Sequence, residues 1–399
     1  MKNIYIARQP IYNRNLKVVG YELLFRSFDS DNSGSFDGDQ ATTEVILNAF
    51  MEFGLDELVG GGLAFINLTR GFIIEQYPLP MLENRVVLEV LEDIKIDDEL
   101  VKSLEYLSER GYKIALDDVV EPKDVAPLLD LADIVKIDIM GMSPDRIKAC
   151  VAALKGHKTR LLAEKIETHK EFELCRELGF HYFQGFFFSK PNVVQGRKIP
   201  EARFALLRLL SKLQSPAIEF RDMEDIIRQD VSLSYKLLRL INSSYYARPR
   251  KINSIRQALT LLGMRQIKDW VSLLSLSTIE DKPRELMVTA MVRARMSETL
   301  SNSAGVKNAE AGFTVGLFSV LDALLDLPLN EVLSNLPLAG DVTKALVSHE
   351  GKLGTILQNV IDYEHGEWGS ISIVGLKPDK VRDAYFESVT WANAVAGVL

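Results

Sequence analysis

The chain has 399 residues, of which 47% are hydrophobic and 26% are charged, and its formal net charge at pH 7 is −8. These values are typical of an ordinary globular protein with two or three domains. The negative charge disfavours a general nucleic-acid binder.

Neither the cysteines nor the hydrophobic runs indicate a secreted or membrane protein. No apolar run approaches the roughly 18 residues that a membrane span needs, and the N-terminal residues lack the apolar core of a signal peptide. The two cysteines, Cys150 and Cys175, have neither a CxxC nor a Cys/His spacing. We therefore expect a reduced, cytoplasmic protein without a disulfide framework, a zinc site or a membrane partner.

Short apolar runs alternate with helical patterns in the first half of the chain. The helical patterns cover 42–53, 97–110, 144–154 and 170–178. The strand-like runs begin near Ile4, Val18, Leu63, Val86, Ile114, Ile134, Leu161 and Tyr182. Alternating strands and helices indicate parallel βαβ units, and a long series of them predicts a TIM-like (β/α) barrel over residues 1–198.

The second half shows almost no strand signal. Helical patterns follow one another at 202–213, 223–229, 233–242, 255–262, 265–274, 286–303 and 310–325. The fold class is therefore α/β plus all-α, with an all-helical domain over residues 199–399.

Polar residues end the strand-like runs of the first half, where the catalytic groups of such barrels lie. Carboxylate and amide oxygens suit Mg²⁺ or Mn²⁺, and two-metal centres hydrolyse phosphodiesters. Lys136 and Glu164 are candidates to orient or deprotonate the attacking water, and Arg26 is a candidate to hold a phosphate. The candidate ligands are Glu22, Asn67, Glu89 and Asp117, with Asp118 placed to bridge a second ion.

These residues resemble the motifs of the EAL domain, a barrel that hydrolyses cyclic di-GMP to linear pGpG. The signature Glu-Ala-Leu is similar to Glu22-Leu23-Leu24, and further blocks resemble residues 163–168 and 184–191. The resemblance implies a phosphodiesterase that uses Mg²⁺ or Mn²⁺ with the ligands given above. It also implies substrate contacts from Gln9, Arg26 and Gln184 and a loop-anchoring role for Glu92.

The loop after Asp118 departs from the family pattern. Members usually have Phe-Gly-Thr-Gly-Tyr-Ser-Ser there, whereas this chain has no glycine in residues 119–125. Because glycine adopts backbone conformations that valine and proline do not, we expect a different loop shape. A cyclic di-GMP receptor without useful turnover, or a scaffold with two inert halves, therefore stays open as an alternative.

The second half resembles the HDOD domain, a helical relative of HD-type phosphohydrolases. Ser319-Val320 stands where the His-Asp metal pair of those enzymes would be. Neither side chain replaces an imidazole or a carboxylate, so the resemblance implies a non-catalytic regulatory domain. A regulatory protein partner for this domain and a homodimer of the chain are further expectations.

Overall fold

The computed structural model describes residues 4–27, 54–75, 83–192, 201–243, 252–373, 375–397 and 399. The chain divides into two compact units: Met1–Phe188 with Tyr363–Trp368, and Ser189–Asp362 with Gly369–Leu399. The predicted helix at 42–53 and the predicted domain boundary at residue 198 lie outside the described residues.

Eight strands close a barrel in the first unit, in the order of the chain. Strand β1 pairs antiparallel with both β2 and β8, while each pair from β2 to β8 is parallel. The predicted TIM-like barrel is therefore confirmed. The strands are β1 Ile4–Asn13, β2 Val18–Ser27, β3 Leu63–Leu68, β4 Val86–Val90, β5 Lys113–Leu116, β6 Ile134–Asp138, β7 Arg160–Glu164 and β8 Tyr182–Phe183.

Helices connect the strands, and local capping residues set several of their ends. The Asp97 side chain accepts a hydrogen bond from the Leu100 N–H, and Thr168 forms a capping box with Glu171. The helices are α1 Leu55–Val59, α2 Arg70–Glu75, α3 Asp98–Glu109, α4 Pro144–Ala153 and α5 His169–Leu178, with 3₁₀ turns at Glu83–Arg85, Pro122–Leu128 and Phe187–Ser189.

An apolar layer fills the interior of the barrel. It contains Ile11, Phe65, Val87, Ala115, Ile134 and Leu162, each at most 3% exposed. Side chains two residues apart on a strand point to the same face. The next inward-facing layer of the parallel strands is therefore formed by the residues two positions later, at the carboxyl ends of the strands.

The elements described in the second unit are helices joined by turns and irregular segments. Gly263, with φ of 81°, interrupts the run from Ile255 to Leu276 where the sequence predicts two helices. The predicted single helix over 310–325 is wrong, because the chain leaves helical geometry at Val320, with φ of −117°. The helices are α6 Glu201–Gln214, α7 Phe220–Gln229, α8 Val231–Ile241, α9 Ile255–Leu276, α10 Arg284–Ser303, α11 Ala311–Phe318, α12 Leu321–Leu325, α13 Leu329–Ser334, α14 Gly340–Ser348, α15 Gly351–Glu364 and α16 Pro378–Ala396.

None of the helices in the described ranges is both long enough and apolar enough to cross a membrane.

Candidate active site

A polar layer lies directly above the apolar layer of the barrel. Glu89 is two residues beyond Val87, Lys136 is two beyond Ile134, and the same offset recurs on the other parallel strands. Strand β1 runs the other way, so Gln9 precedes Ile11 by two residues and pairs with Glu22 across β1 and β2. The members of this polar layer are Gln9, Glu22, Asn67, Glu89, Asp117, Lys136, Glu164 and Gln184.

The Lys136 ammonium lies at the centre of the polar layer and is fully buried. Its Nζ lies 2.7 Å from Asp117 Oδ1, 2.9 Å from Glu89 Oε1, 2.9 Å from Glu164 Oε1 and 3.4 Å from Glu22 Oε2. Burial alone would lower the pKa of Lys136, but these four carboxylates raise it well above its ordinary value. The amine is therefore charged.

Amide donors fix the orientation of Glu22. Asn67 Nδ2 donates to Glu22 Oε1 at 3.0 Å, and Gln184 Nε2 donates to Glu22 Oε2 at 2.7 Å and to Gln9 Oε1 at 2.8 Å. Burial raises the pKa of Glu22, but Lys136 and these hydrogen bonds outweigh burial and leave the pKa below its ordinary value. Glu22 is thus an ionised carboxylate with a fixed geometry.

The single positive charge of Lys136 does not neutralise all the carboxylates around it. Four carboxylates face one ammonium, which leaves an excess of three negative charges when all are ionised. Burial, together with Glu22 and Asp117, raises the pKa of Glu89 well above its ordinary value. Burial is also the main cause that raises the pKa of Glu164 to about 8. Either protons or an added cation must balance this charge.

A second group of charges lies further out and includes two residues that sequence reasoning missed. Lys165 Nζ lies 2.6 Å from Asp138 Oδ2 and 3.6 Å from Asp118 Oδ2. Burial and the neighbouring Asp117 raise the pKa of Asp118. A signal was present, since Asp138 follows Lys136 by two residues on β6 and Lys165 follows Glu164 directly.

The donor atoms of this site fit a hard divalent cation. Among the described residues, the buried oxygens Asn67 Oδ1, Glu89 Oε2 and Asp118 Oδ1 accept no hydrogen bond. Carboxylate oxygens of Asp117, Asp118 and Glu164 also lie within 4.8 Å of one another. Unpaired buried acceptors are costly, and an oxygen-only set is what Mg²⁺ or Mn²⁺ prefers.

Two of the predicted site residues lie at the edge of this arrangement. Arg26 is exposed and lies four residues beyond Glu22 on β2, on the same face of the strand. Glu92 is exposed in the turn after β4, close enough to Asp118 to add to the rise in its pKa. A cavity of about 400 Å³ opens above the polar layer, and its lining includes Gln9, Glu22, Asp118, Glu164 and Gln184.

The loop after Asp118 forms an ordered structure without glycine. Asp118 has a φ of 44°, the Val119 side chain is buried, and the Val119 N–H donates to the Lys136 carbonyl at 3.0 Å. The 3₁₀ turn Pro122–Leu128 follows. Asp118 thus supplies the turn at the start of this loop, and the expected difference from the family's loop shape stays a prediction.

Ser319 and Val320 occupy a helix end in the second unit. Ser319 Oγ donates to the Gly316 carbonyl at 2.8 Å and accepts from Arg293 Nη1 at 3.3 Å. Val320 is buried. Both residues therefore have structural contacts that account for their positions.

Comparison with known proteins identifies both units. Residues 63–191 match the EAL domain family, and residues 199–371 match the HDOD domain family. The chain therefore belongs to the family of proteins in which an EAL domain is followed by an HDOD domain.

Two relatives match nearly the whole chain. The chain is 36% identical to the cyclic di-GMP phosphodiesterase CdgJ of Vibrio cholerae, over 99% of this chain and 94% of CdgJ. It is 32% identical to the uncharacterized protein YuxH of Bacillus subtilis, over 98% of each chain. A solved structure, the c-di-GMP-bound form of a standalone EAL protein from Vibrio cholerae O395, is 22% identical over 47% of this chain and 92% of that chain, with a TM-score of 0.37.

Proposed function

We propose that this protein is a metal-dependent phosphodiesterase that hydrolyses cyclic di-GMP to linear pGpG in bacterial second-messenger signalling. The observation that carries the proposal is the polar layer of the EAL barrel. Four carboxylates surround one buried ammonium there, and neighbouring buried oxygens accept no hydrogen bond within the described residues. The activity of CdgJ, a relative along almost the whole chain, supports the same reaction.

The cation ligands follow from the donor set. We assign Glu22, Asn67, Glu89 and Asp117 to a first Mg²⁺ or Mn²⁺ ion, and Asp118 to a bridge towards a second. Such ions polarise phosphoryl oxygens and acidify the attacking water. Glu22 is held in place by two amide donors, so one ligand is already oriented before a cation binds.

Glu164 and Lys136 serve the proton transfer. The pKa of Glu164, raised to about 8 mainly by burial, lies close to the operating pH that suits a general base. Glu164 accepts the proton of the attacking water as the water oxygen bonds to phosphorus and the bond from phosphorus to one ester oxygen breaks. This ester oxygen takes up a proton from solvent and becomes the free hydroxyl of linear pGpG. Lys136 orients Glu164 through the 2.9 Å contact and balances the charge of the neighbouring carboxylates.

Gln9, Arg26 and Gln184 bind the substrate. The guanidinium of Arg26 is exposed on the same strand face as Glu22, where it can pair with a phosphate. Gln184 and Gln9 line the cavity, whose volume of about 400 Å³ lies within the range of ligand pockets. Glu92 lies close enough to Asp118 to raise its pKa, and we assign it the loop-anchoring role that the family resemblance implies.

The test is turnover by the full-length protein after chelator treatment, with pGpG quantified by chromatography. Added Mn²⁺ or Mg²⁺ should restore pGpG formation in the native protein. Glu22→Ala removes a ligand and Lys136→Ala removes the central charge, so both variants should lose turnover by at least about a hundredfold. Lys136→Ala should still bind cyclic di-GMP, because all the cation ligands remain together with Arg26 and Gln9, whereas Glu22→Ala lacks a cation ligand and should bind it more weakly.

The matched control for these variants is Lys148→Ala. Lys148 is an exposed lysine of α4 whose ion-pair partner among the described residues is the exposed Asp145 of the same helix, so its loss should leave turnover unchanged. Equal loss of ligand binding in Glu22→Ala and Lys136→Ala would contradict this division of roles.

A cyclic di-GMP receptor without turnover is the second candidate, and the glycine-free loop favours it. The loop has no glycine to supply a left-handed conformation, and Asp118 adopts one itself, with a φ of 44°. Tight binding of the dinucleotide in the presence of Mn²⁺, with no pGpG released over hours, would select this candidate over the enzyme.

The helical unit is proposed as a regulatory module that binds a protein partner in the cytoplasm. The buried contacts of Ser319 and Val320 support a structural instead of a metal-binding role for these positions. Two free, buried cysteines support a reducing compartment. Comparing turnover of the full chain with that of residues 1–198 tests the regulation, and light scattering after size exclusion tests the predicted homodimer.

A further inference from the structure

Lys165 forms a second ionic group at the outer edge of the candidate active site. Its ammonium lies 2.6 Å from Asp138 Oδ2 and 3.6 Å from Asp118 Oδ2, and about half of its side chain is exposed. The other oxygen of Asp138 accepts from the Met140 N–H at 2.8 Å, which fixes this carboxylate. Lys165 is thus held beside Asp118, whereas Lys136 occupies the interior.

Lys165 adopts a backbone conformation that lysine disfavours. Its φ is 52°, in the left-handed region where side chains other than those of glycine, asparagine and aspartate are uncommon. Asp118, its partner on the neighbouring loop, also has a positive φ of 44°. A glycine at position 165 would adopt this φ without strain. The presence of a strained lysine there indicates that its charged side chain has a role at this site.

Lys165 lies close to the place where a second cation would bind. Asp118 belongs to the group whose carboxylate oxygens lie within 4.8 Å of those of Asp117 and Glu164. A cation that uses Asp118 would therefore lie within a few ångströms of the Lys165 ammonium. Two positive charges at such a separation repel each other even at a partly exposed site.

We propose that Lys165 is a positioning residue that competes with the second cation for Asp118. The inner carboxylates outnumber the Lys136 ammonium by three, so they bind one divalent cation tightly, whereas Lys165 leaves the outer position to bind a second one weakly. This inference rests on the proposed metal-dependent function and deepens it. It makes the second cation, and not the first, the one whose occupancy varies with the cation concentration.

The experiment titrates chelator-treated full-length protein with Mn²⁺, with bound and free ion followed by electron paramagnetic resonance and calorimetry. The native protein should show one tight site and a second that is weaker by at least about tenfold. Lys165→Met removes the charge and keeps the side-chain volume, so it should tighten the second site by about tenfold and change the first by less than about threefold. Lys165→Arg keeps the charge and should reproduce the native isotherm.

A third variant separates charge from backbone strain. Lys165→Gly removes both, so it should match Lys165→Met if the charge is responsible. An isotherm of Lys165→Met identical to that of the native protein, or tightening in Lys165→Gly alone, would overturn the inference. Two equally tight sites in the native protein would overturn it as well. A native protein that binds no Mn²⁺ at all would instead overturn the proposed function.

Discussion

Replacing Lys136 by methionine tests the charge balance of the polar layer. Methionine fills a similar volume, so the main loss is the buried ammonium and its contacts of 2.7–3.4 Å to four carboxylates. Removing one partner of a buried ion pair typically costs about 3–5 kcal/mol, because the remaining charge is left uncompensated. At about 1.4 kcal/mol per factor of ten, this corresponds to a hundredfold to a few thousandfold in the opening equilibrium of the barrel.

The loss should depend on pH in a definite direction. The pKa values of Glu89 and Glu164 are already raised in the folded state, and removing the ammonium raises them further. At pH 5.5 these two groups hold their protons and need no counter-charge, so the cost of Lys136→Met is smaller than at pH 8 and comes from Glu22, whose pKa is lowered and which stays ionised. At pH 8 the folded state must either ionise them or hold extra protons, so the cost is at its largest.

The assay is hydrogen–deuterium exchange of metal-free protein, read on peptides from strands β3 to β7. Exchange of the most protected amides reports the opening free energy of the barrel alone, which avoids mixing it with the helical unit. The matched control is Lys148→Met, whose exposed pair with Asp145 is worth at most about 1 kcal/mol. Equal protection of the native and Lys136→Met barrels at pH 8 would refute the reasoning.

Three further predictions concern other charges and packing. Glu89→Gln should increase the protection of the barrel amides from hydrogen exchange in metal-free protein at pH 8, because it removes a carboxylate whose pKa is raised by burial. It should also weaken Mn²⁺ binding in the Mn²⁺ titration described above. Weaker protection of the amides would contradict this prediction. Burial raises the pKa of Asp269 to about 7, so its ionisation makes the native protein lose stability as the pH rises from about 4 to above 7. Asp269→Asn should therefore be more stable than the native protein in urea unfolding by about 2 kcal/mol at pH 5 and by up to about 4 kcal/mol at pH 8. Gly316→Ala would place a methyl group on the Arg293 carbonyl and should cost about 1–3 kcal/mol in thermal unfolding, whereas Gly340→Ala, with open space around it, should cost much less.

The barrel and most of its polar layer could be predicted because they depend on local patterns. Apolar runs locate the strands, and a polar residue at the end of each run falls on the inward face by the two-residue period. Glu89 and Lys136 could be predicted as site residues in this way. The same period applied to β6 from Lys136 also leads to Asp138, although its partner Lys165 lies on another loop.

Other features depend on contacts that a single segment does not reveal. The left-handed backbone of Asp118 and Lys165 is stabilised between two loops that are far apart in the sequence. The helix break at Ser319 and Val320 is not visible in the sequence, because a helix tolerates both residues and their neighbours. Their preference for helix is weak, and tertiary contacts such as the hydrogen bond from Arg293 to Ser319 outweigh it.

The unequal numbers of charges in the polar layer impose an order on how such a barrel can lose its activity during evolution. A descendant that first loses a carboxylate of raised pKa, such as Glu89, sheds repulsion and gains stability, so this step is neutral or favourable once turnover is no longer selected. A descendant that first loses the lysine at position 136 pays the full cost of buried, unpaired carboxylates. Inactive members of this lineage should therefore retain the lysine and lack one or more of the acids.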